Sequence, residues 1–376
     1  MLHQTRSLLA GLLLSLVLVG CSSAGLGRSK SLDPIDYVDP YMGNISHLLV
    51  PTFPTVHLPN GMMRVHPQRT DYASEQIAGL PVILTSHRGV SAFAISPLSA
   101  LSDSLPEVSR YSYDSESVRP YLYEVTLLEP EVRVRYAPSY RSAIYQFNFE
   151  RAKAGHHLVF STPDGELVAS GKNLFGYQQL EDSTRVYLYA EIDAEPTERL
   201  VRDTLTGRLA TVDGVARGNT LCLSFAKQGV TLRYGVSYIS VEQAKRNVEQ
   251  EIQSFEVNLV AKYGRNEWSK ALDKVEIEGG TPEERRVFYT SLYRTYERMI
   301  CLSEDGRYWS GFDKKVHDDE GVPFYTDDWL WDTYRATHPL RILLDPVKEQ
   351  QMLTSYLRMA EQSPEGWLPT FPEVTG

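Results

Sequence analysis

VTLRYGVSYISVEQAKRNVEQEIQSFEVNLVAK, residues 230–262, contains the change of hydrophobic period that decides the fold. In residues 230–238 every second side chain is apolar, and a period of two is typical of a β-strand with one buried face. The apolar positions are Val230, Leu232, Tyr234, Val236 and Tyr238. The stretch therefore predicts a strand that leads directly into a different kind of element.

A helix is predicted from Ser240 onward. Ser240 followed three residues later by Gln243 is a capping box, in which each side chain satisfies a backbone N–H at the helix start. Apolar side chains then recur with helical spacing as far as Lys262, at Val241, Ala244, Val248, Ile252, Phe255 and Leu259. The pattern predicts one helix immediately after the strand.

Upstream of this helix, period two dominates from about residue 33 to residue 240. Residues 131–136, 145–150 and 185–191 alternate in the same way, and turn sequences at 163–165 (Pro-Asp-Gly) and 213–214 (Asp-Gly) separate such runs. Many short alternating strands without helical segments between them predict an antiparallel β-sandwich over residues 33–240.

Downstream, helical signals replace the strands. A second helix is expected at Thr281, with Pro282 at its first position and Glu284 completing a capping box, and a third at Asp345. Their expected buried side chains are Phe288, Leu292, Tyr296 and Met299 in the second and Leu353, Tyr356, Leu357 and Ala360 in the third. These signals predict a helical linker over 241–280 and an all-α region with long loops over 281–376. Since three helices cannot close a large helical core, a fragment of a larger domain is expected.

Composition excludes several classes of protein. The 376 residues include 38 Lys and Arg against 48 Asp and Glu, a net charge of −10, with no basic run, which argues against a nucleic-acid partner. Three cysteines exclude a disulfide scaffold. Cys222 and Cys301 are expected to be buried free thiols.

The first 20 residues predict a signal peptide, because the apolar run from Leu8 to Gly20 is too short to span a bilayer comfortably. Leu18-Val-Gly-Cys21 closes the run in the manner of a bacterial lipobox, so Cys21 is the expected lipidation site and residues 21–32 the tether. An ordinary signal peptide with a chance cysteine and an N-terminal anchor helix are the alternatives. The lipobox predicts a lipid-anchored protein of the bacterial cell envelope, on the outer membrane facing the periplasm.

Residues 327–340, DDWLWDTYRATHPL, are the most informative stretch for function. Indole rings stack on the apolar faces of sugars, and carboxylate or guanidinium groups form paired hydrogen bonds with sugar hydroxyls. The candidates here are Trp331, Asp332 and Arg335. The alternative interpretation is a helix start with Asp332 as N-cap and the tryptophans in the core.

Histidines provide a second group of candidates. His47, His57, His66 and His87 lie close together in the sequence, but their spacing fits no metal motif, so a histidine beside a pocket is favoured over a zinc site. Trp367 lies in a loop between Glu365 and Glu373, each of which is either a hydrolase carboxylate or a surface acid.

Several colinear motifs resemble glycoside hydrolase family 92. They are YVDPYMG (37–43), PTFP (51–54), GVSYISVEQA (235–244), FYTSLY (288–293), DGRY (305–308), WDTYR (331–335), HPL (338–340) and GWLP (366–369). These bacterial enzymes are calcium-dependent exo-α-mannosidases that act on N-glycans and related mannosides. The chain departs from the family at 44–49, NISHLL, where a Gly/His-rich loop is usual.

The resemblance implies an N-terminal β-sandwich, a helical linker and the first helices of an (α/α)6 catalytic barrel. It implies an inverting exo-α-mannosidase, of the α-1,2 type, acting on N-glycans or mannans. Asp332 matches a sugar-binding pocket residue, and Trp331, Arg335, His47 and Trp367 are the other substrate-binding candidates. The family's acid, base and most calcium ligands are expected beyond Gly376, so the chain alone is expected to be inactive. A non-catalytic glycan-binding surface lipoprotein is the alternative.

Overall fold

Antiparallel strands fill the first two thirds of the chain in the computed structural model, which describes residues 32–45, 51–69, 74–86, 88–149, 155–181 and 183–376. A 3-10 turn at Pro34–Tyr37 precedes them. The strands are β1 (Val56–His57), β2 (Arg64–Val65), β3 (Gln76–Ala78), β4 (Leu80–Leu84), β5 (Ser91–Leu98), β6 (Arg110–Arg119), β7 (Leu122–Leu127), β8 (Val132–Pro138), β9 (Ser142–Asn148), β10 (His157–Ser161), β11 (Gly165–Ser170), β12 (Asn173–Gln179), β13 (Arg185–Ile192), β14 (Glu198–Arg202), β15 (Leu209–Thr211), β16 (Ala216–Gly218), β17 (Thr220–Ser224) and β18 (Gly229–Ser237).

All of these strands except β1 and β2, which pair only with each other, form the predicted β-sandwich. The larger sheet has ten strands in the order β16-β11-β12-β13-β18-β9-β8-β7-β6-β3, and the smaller has six in the order β15-β14-β17-β10-β5-β4. Tyrosines of the larger sheet cross the core and donate to backbone oxygens of the smaller one. Tyr145 reaches Pro81 O at 2.8 Å and Tyr234 reaches Val82 O at 2.7 Å. Each buried hydroxyl thereby gains a partner that also fixes the spacing of the sheets.

Strand β18 is buried on both faces. The five apolar side chains predicted to share one face all belong to the sandwich core. Helix α1 (Val241–Glu251) covers the other face so closely that a Cβ at Gly235 would lie 2.1 Å from Ala244 O. Only glycine allows this approach, which explains the glycine in the middle of a strand.

The single helix predicted to run as far as Lys262 is instead two helices. Helix α1 ends at Glu251, and the next residue, Ile252, has an extended backbone. The second helix, α2, spans Val257–Leu272. Two arginines of the sandwich contact the chain at this break: Arg233 of β18 donates to Ile252 O at 2.5 Å, and Arg141, in the turn between β8 and β9, binds Glu251 at 2.9 Å. Because the helical spacing is interrupted between the two helices, the buried face of the second does not continue the stripe of the first, and Leu259 is 59% exposed. The capping box of α1 is also incomplete, since the Gln243 side chain bonds to Asp305 instead.

Helix α3 (Pro282–Arg294) begins as predicted. Thr281 Oγ1 accepts from Glu284 N, and the Glu284 carboxylate accepts from Thr281 N. The helix ends before Tyr296 and Met299, which are nevertheless buried, as is Leu292.

The region after α3 is not all-α. Four short strands follow it, and three helices come after the strands. The elements are β19 (Ile300–Cys301), β20 (Arg307–Ser310), β21 (Lys315–Asp318), β22 (Tyr325–Thr326), α4 (Leu330–Thr333), α5 (Thr337–Leu344) and α6 (Pro346–Gln362). Helix α6 buries Met352, Tyr356 and Met359, whereas Leu353 and Leu357 are 48% and 59% exposed, against the sequence-based expectation.

The sandwich core continues into this helical region. Residues Pro34–Gly376 form one compact unit, and Met299, Phe324 and Met352 belong to the same buried cluster as the sandwich side chains. Trp268 of α2 is fully buried, and its Nε1 donates to His57 O at 2.7 Å.

Cys222 is buried as expected, but Cys301 is only half-buried. Among the described residues, no helix has the length and apolarity needed to cross a membrane.

Candidate functional site

A cavity of about 430 Å³ lies where the sandwich meets the helical region. Its sandwich side comes from the loop before β1, from β2 and from the end of β4, and its helical side comes from the residues after α3 and before α4. The described lining residues are Pro51, Thr52, Phe53, Thr55, Arg64, His66, Leu84, Ser86, Arg88, Gly89, Glu297, Arg298 and Trp329.

The sandwich side holds a neutral histidine. His66 stacks on Phe53 with ring centroids 4.1 Å apart, and its Nδ1 lies 3.0 Å from Pro67 O. Because the carbonyl oxygen can only accept, Nδ1 carries the proton. Burial lowers the pKa of His66 to about 4, so the ring stays neutral at physiological pH. The prediction that a histidine of the 47–87 group lies beside a pocket holds for His66.

The helical side is formed by a guanidinium stacked on an indole. The Arg298 guanidinium carbon lies 4.7 Å from the centre of the Trp329 ring, a cation–π contact. Glu297 lies next to this pair and accepts from Arg294 at 2.7 Å. Arg294 also donates to Pro40 O and Phe53 O, which fixes the loop that carries the opposite wall.

Two consecutive buried aspartates hold the turn that leads to Trp329. Asp327 adopts a left-handed backbone conformation, with φ of 69°, and pairs with Arg64 of β2 at 2.5 Å. Asp328 Oδ2 accepts from Tyr356 at 2.7 Å and lies 2.9 Å from His338 Nε2. One aspartate thus ties the turn to the sandwich and the other ties it to the helices.

His338 lies between two carboxylates. Its Nδ1 is 2.7 Å from Glu349 Oε1 while its Nε2 faces Asp328. Burial alone would lower the pKa of His338, but the hydrogen bonds to Asp328 and Glu349 outweigh it and raise the pKa to about 9. Burial also opposes ionisation of Asp328, yet its bonds to His338 and Tyr356 keep its pKa below the usual value. The imidazole is therefore a buried cation at neutral pH.

The predicted substrate-binding residues are only partly brought together. Asp332 faces a shallower depression lined by Arg88, Trp329 and Phe371, which shares two residues with the cavity. Trp331 and Trp367 are 62% and 77% exposed. Arg335 is exposed as well and stacks on Tyr334.

A short helix, α4, does begin within residues 327–340, but the other two parts of the alternative interpretation are wrong. The N-cap of α4 is Trp329 rather than Asp332, and Trp331 is largely exposed rather than in the core. His57 is a buried core residue, whose pKa burial lowers to about 4. His47, His87 and Cys21 lie outside the described residues.

Sequence reasoning missed Arg64 and Arg298. Asp327, Asp328 and Trp329 lie within residues 327–340, the stretch that indicates sugar binding, but the sequence assigns no individual role to them. Nothing in the sequence indicates that Arg64 lies beside them. No group of three His, Cys, Asp or Glu side chains in the described parts of the chain could hold a metal ion.

Two sequence profiles match successive parts of the chain. The profile of the glycosyl hydrolase family 92 N-terminal domain matches residues 37–237, and that of the glycosyl hydrolase family 92 catalytic domain matches residues 243–376. The chain belongs to glycosyl hydrolase family 92. No curated protein shows significant similarity to it.

Solved members of family 92 share this architecture. An inverting mannosidase of the family from Bacteroides thetaiotaomicron is 26% identical, with a TM-score of 0.80 over 92% of this chain and 50% of its own. A family 92 α-mannosidase from the same organism is 22% identical, with a TM-score of 0.79 over 92% of this chain and 52% of its own. That enzyme has also been solved with mannoimidazole. The predicted fold class is confirmed, and the chain spans about half the length of these relatives.

Proposed function

We propose that the chain is the N-terminal half of an inverting exo-α-mannosidase that releases mannose from N-glycans or mannans. Family membership supports a glycosidase, and the relatives described as mannosidases indicate the sugar. The observation that carries the proposal is the cavity between sandwich and helices, with an indole in its wall and Asp332 in the adjoining depression.

The chemistry of this wall suits a sugar ring. The Trp329 indole offers an apolar face, and the exposed Asp332 carboxylate can accept two hydroxyl protons. Arg88 lines both the cavity and the depression, so a saccharide that occupied both would pass this guanidinium. Trp331, Arg335, His47 and Trp367 remain further candidates for contacts with a longer glycan.

The catalytic pair is proposed to lie beyond Gly376. Inversion needs a carboxylic acid and a carboxylate about 6.5–9.5 Å apart on opposite sides of the scissile bond. The described lining residues of the cavity include one carboxylate, that of Glu297, and it is paired with Arg294. One carboxylate held by an arginine cannot perform both roles. Binding without hydrolysis is therefore the second candidate function for the chain by itself.

The remaining assignments are proposals that rest on the sequence. Calcium is proposed as the cofactor, held mostly by residues outside this chain, and α-1,2 linkages as the preferred substrate. The lipobox at Cys21 suggests a lipid anchor in the bacterial cell envelope, at the periplasmic face of the outer membrane.

Titration of the purified chain with methyl α-mannoside, followed by calorimetry, tests the binding role. Asp332→Ala should weaken binding by about ten-fold to over a hundred-fold, because each hydrogen bond to a charged group contributes roughly 1.5–3 kcal/mol. Asp213→Ala, which removes an exposed carboxylate from a turn of the sandwich, should bind normally. Equal affinity in both variants would contradict the placement of the sugar. Release of mannose by the chain alone would contradict the position proposed for the catalytic pair.

A further inference from the structure

We propose that the buried network of His338, Glu349 and Arg341 positions the Arg298–Trp329 wall of the cavity, and that the proton on His338 keeps this wall in place. All three residues are buried, and none of them is among the lining residues of the cavity. They are positioning residues. Their importance for glycan binding rests on the proposed function, but their effect on the wall does not.

One arm of the network holds Trp329. His338 binds Asp328, the residue immediately before Trp329, and Thr333 Oγ1 donates to the same carboxylate oxygen at 2.9 Å. The backbone from Asp328 to Thr333 is therefore closed into a loop around one carboxylate. The position of the indole depends on this carboxylate and so on the imidazole that binds it.

The other arm holds Arg298. Arg341 donates to Arg298 O and, at 2.8 Å, to Thr295 O at the end of α3. Its Nη1 lies 4.0 Å from Glu349 Oε2, while the other oxygen of that carboxylate faces His338. Glu349 thereby links the two arms, which end at the two partners of the cation–π pair.

Charge balance explains why the proton matters. The groups around His338 are Asp328 from the turn, Glu349 and Tyr356 from α6, and Arg341 on its own helix. With His338 protonated, two buried carboxylates face two cations. Loss of the proton leaves one cation for two carboxylates, and an uncompensated buried charge is strongly destabilising. The arm that binds the Trp329 turn should then loosen.

The emission of Trp329, obtained as the difference between the full chain and its Trp329→Phe variant, reports on the wall without any ligand. We expect a red shift and stronger acrylamide quenching as the pH rises from 6.5 through about 9. Glu349→Gln should move the midpoint to lower pH, because the imidazolium loses one of its two carboxylates. His338→Gln should give red-shifted emission at every pH, with no titration.

His317→Gln is the matched control, since His317 also contacts a carboxylate, Asp313 at 2.9 Å, but lies on β21 away from the cavity lining. The Trp329 emission of this variant should show the same pH transition as that of the unmodified chain. A flat Trp329 signal across this range, or a transition unchanged in Glu349→Gln, would overturn the proposal; both tests remain available if His338→Gln does not fold. A chain that shows the transition but binds no mannoside would overturn the proposed function instead.

Discussion

The Asp327→Asn substitution changes the shape of the side chain only a little, but it should destabilise the protein because it removes the charge that pairs with Arg64. The side chains of Arg64 and Asp327 are 5% and 0% exposed, and their charged atoms are 2.5 Å apart. Asparagine tolerates the left-handed conformation of this position better than most residues do, so backbone strain adds little. The substitution therefore tests the charge alone.

The expected cost follows from the Arg64 charge that remains. Removal of one partner from a buried pair costs about 3–5 kcal/mol, because the other charge stays away from water without compensation. Arg64 keeps a long hydrogen bond, 3.5 Å from Nε to Leu84 O, which cannot neutralise a charge. Arg64→Met together with Asp327→Asn removes both charges and should cost less than the sum of the single variants.

Urea unfolding followed by tryptophan emission measures these free energies. Asp305→Asn is the matched control, because Asp305 is also an aspartate with positive φ, 51°, but its pair with Arg246 is 3.4 Å long and its side chain is 33% exposed. An exposed pair contributes about 0–1 kcal/mol. If Asp327→Asn cost no more than Asp305→Asn, or if the double variant showed simple additivity, the Arg64–Asp327 contact would not act as a buried ion pair.

Three further predictions concern other parts of the chain. Cys21→Ser should move the protein from the membrane pellet to the soluble fraction, and unchanged fractionation would argue against lipidation. Thr281→Ala should lower the free energy of unfolding by about 0.5–2 kcal/mol, since Glu284 N loses its partner, while Thr281→Ser keeps the hydroxyl and should be near neutral. Stability measured against pH should be greatest near 6.5. Burial lowers the pKa of His57 and His66 to about 4, so below pH 6.5 the unfolded chain binds more protons at these residues than the folded chain does, and stability falls. Glu304 has the opposite effect, because burial raises its pKa to about 7, but one carboxyl only partly offsets two histidines. Above pH 6.5, stability falls as pH passes the raised pKa of His338, about 9, and His338→Gln should flatten this alkaline limb.

Local patterns predicted the elements whose structure is decided locally. The alternation at 230–238 became β18, and the Thr281–Glu284 box became the start of α3, because each depends on residues a few positions apart. The break after Glu251 was not predictable in this way. It depends on Arg233 of β18 and on Arg141 in the turn between β8 and β9, both of which are distant in sequence from the end of the helix.

The candidate site was predictable only around Asp332 and through the family resemblance. Hydrophobicity suggested that Leu353 and Leu357 would be buried, yet both are largely exposed, while Asp327, Asp328 and Glu349 are buried. A buried acid depends on partners such as Arg64 or His338 that the sequence places elsewhere. The linear spacing of residues gives no information about such pairings.

The hydrogen bond between Trp268 and the carbonyl of His57 affects how the two domains of such a chain can be exchanged between homologous genes. The two family profiles meet between residues 237 and 243, where an exchange of gene segments would leave both domains formally intact. Asn247, on the catalytic-domain side of that boundary, nevertheless donates to Val236 O on the other side as well as to Glu304, and α2 completes the packing around β1 through Trp268. A sandwich from a distant homologue would meet a foreign partner at each of these contacts. Natural recombination at this boundary should therefore succeed only between close relatives, and compensating substitutions should occur in pairs across it.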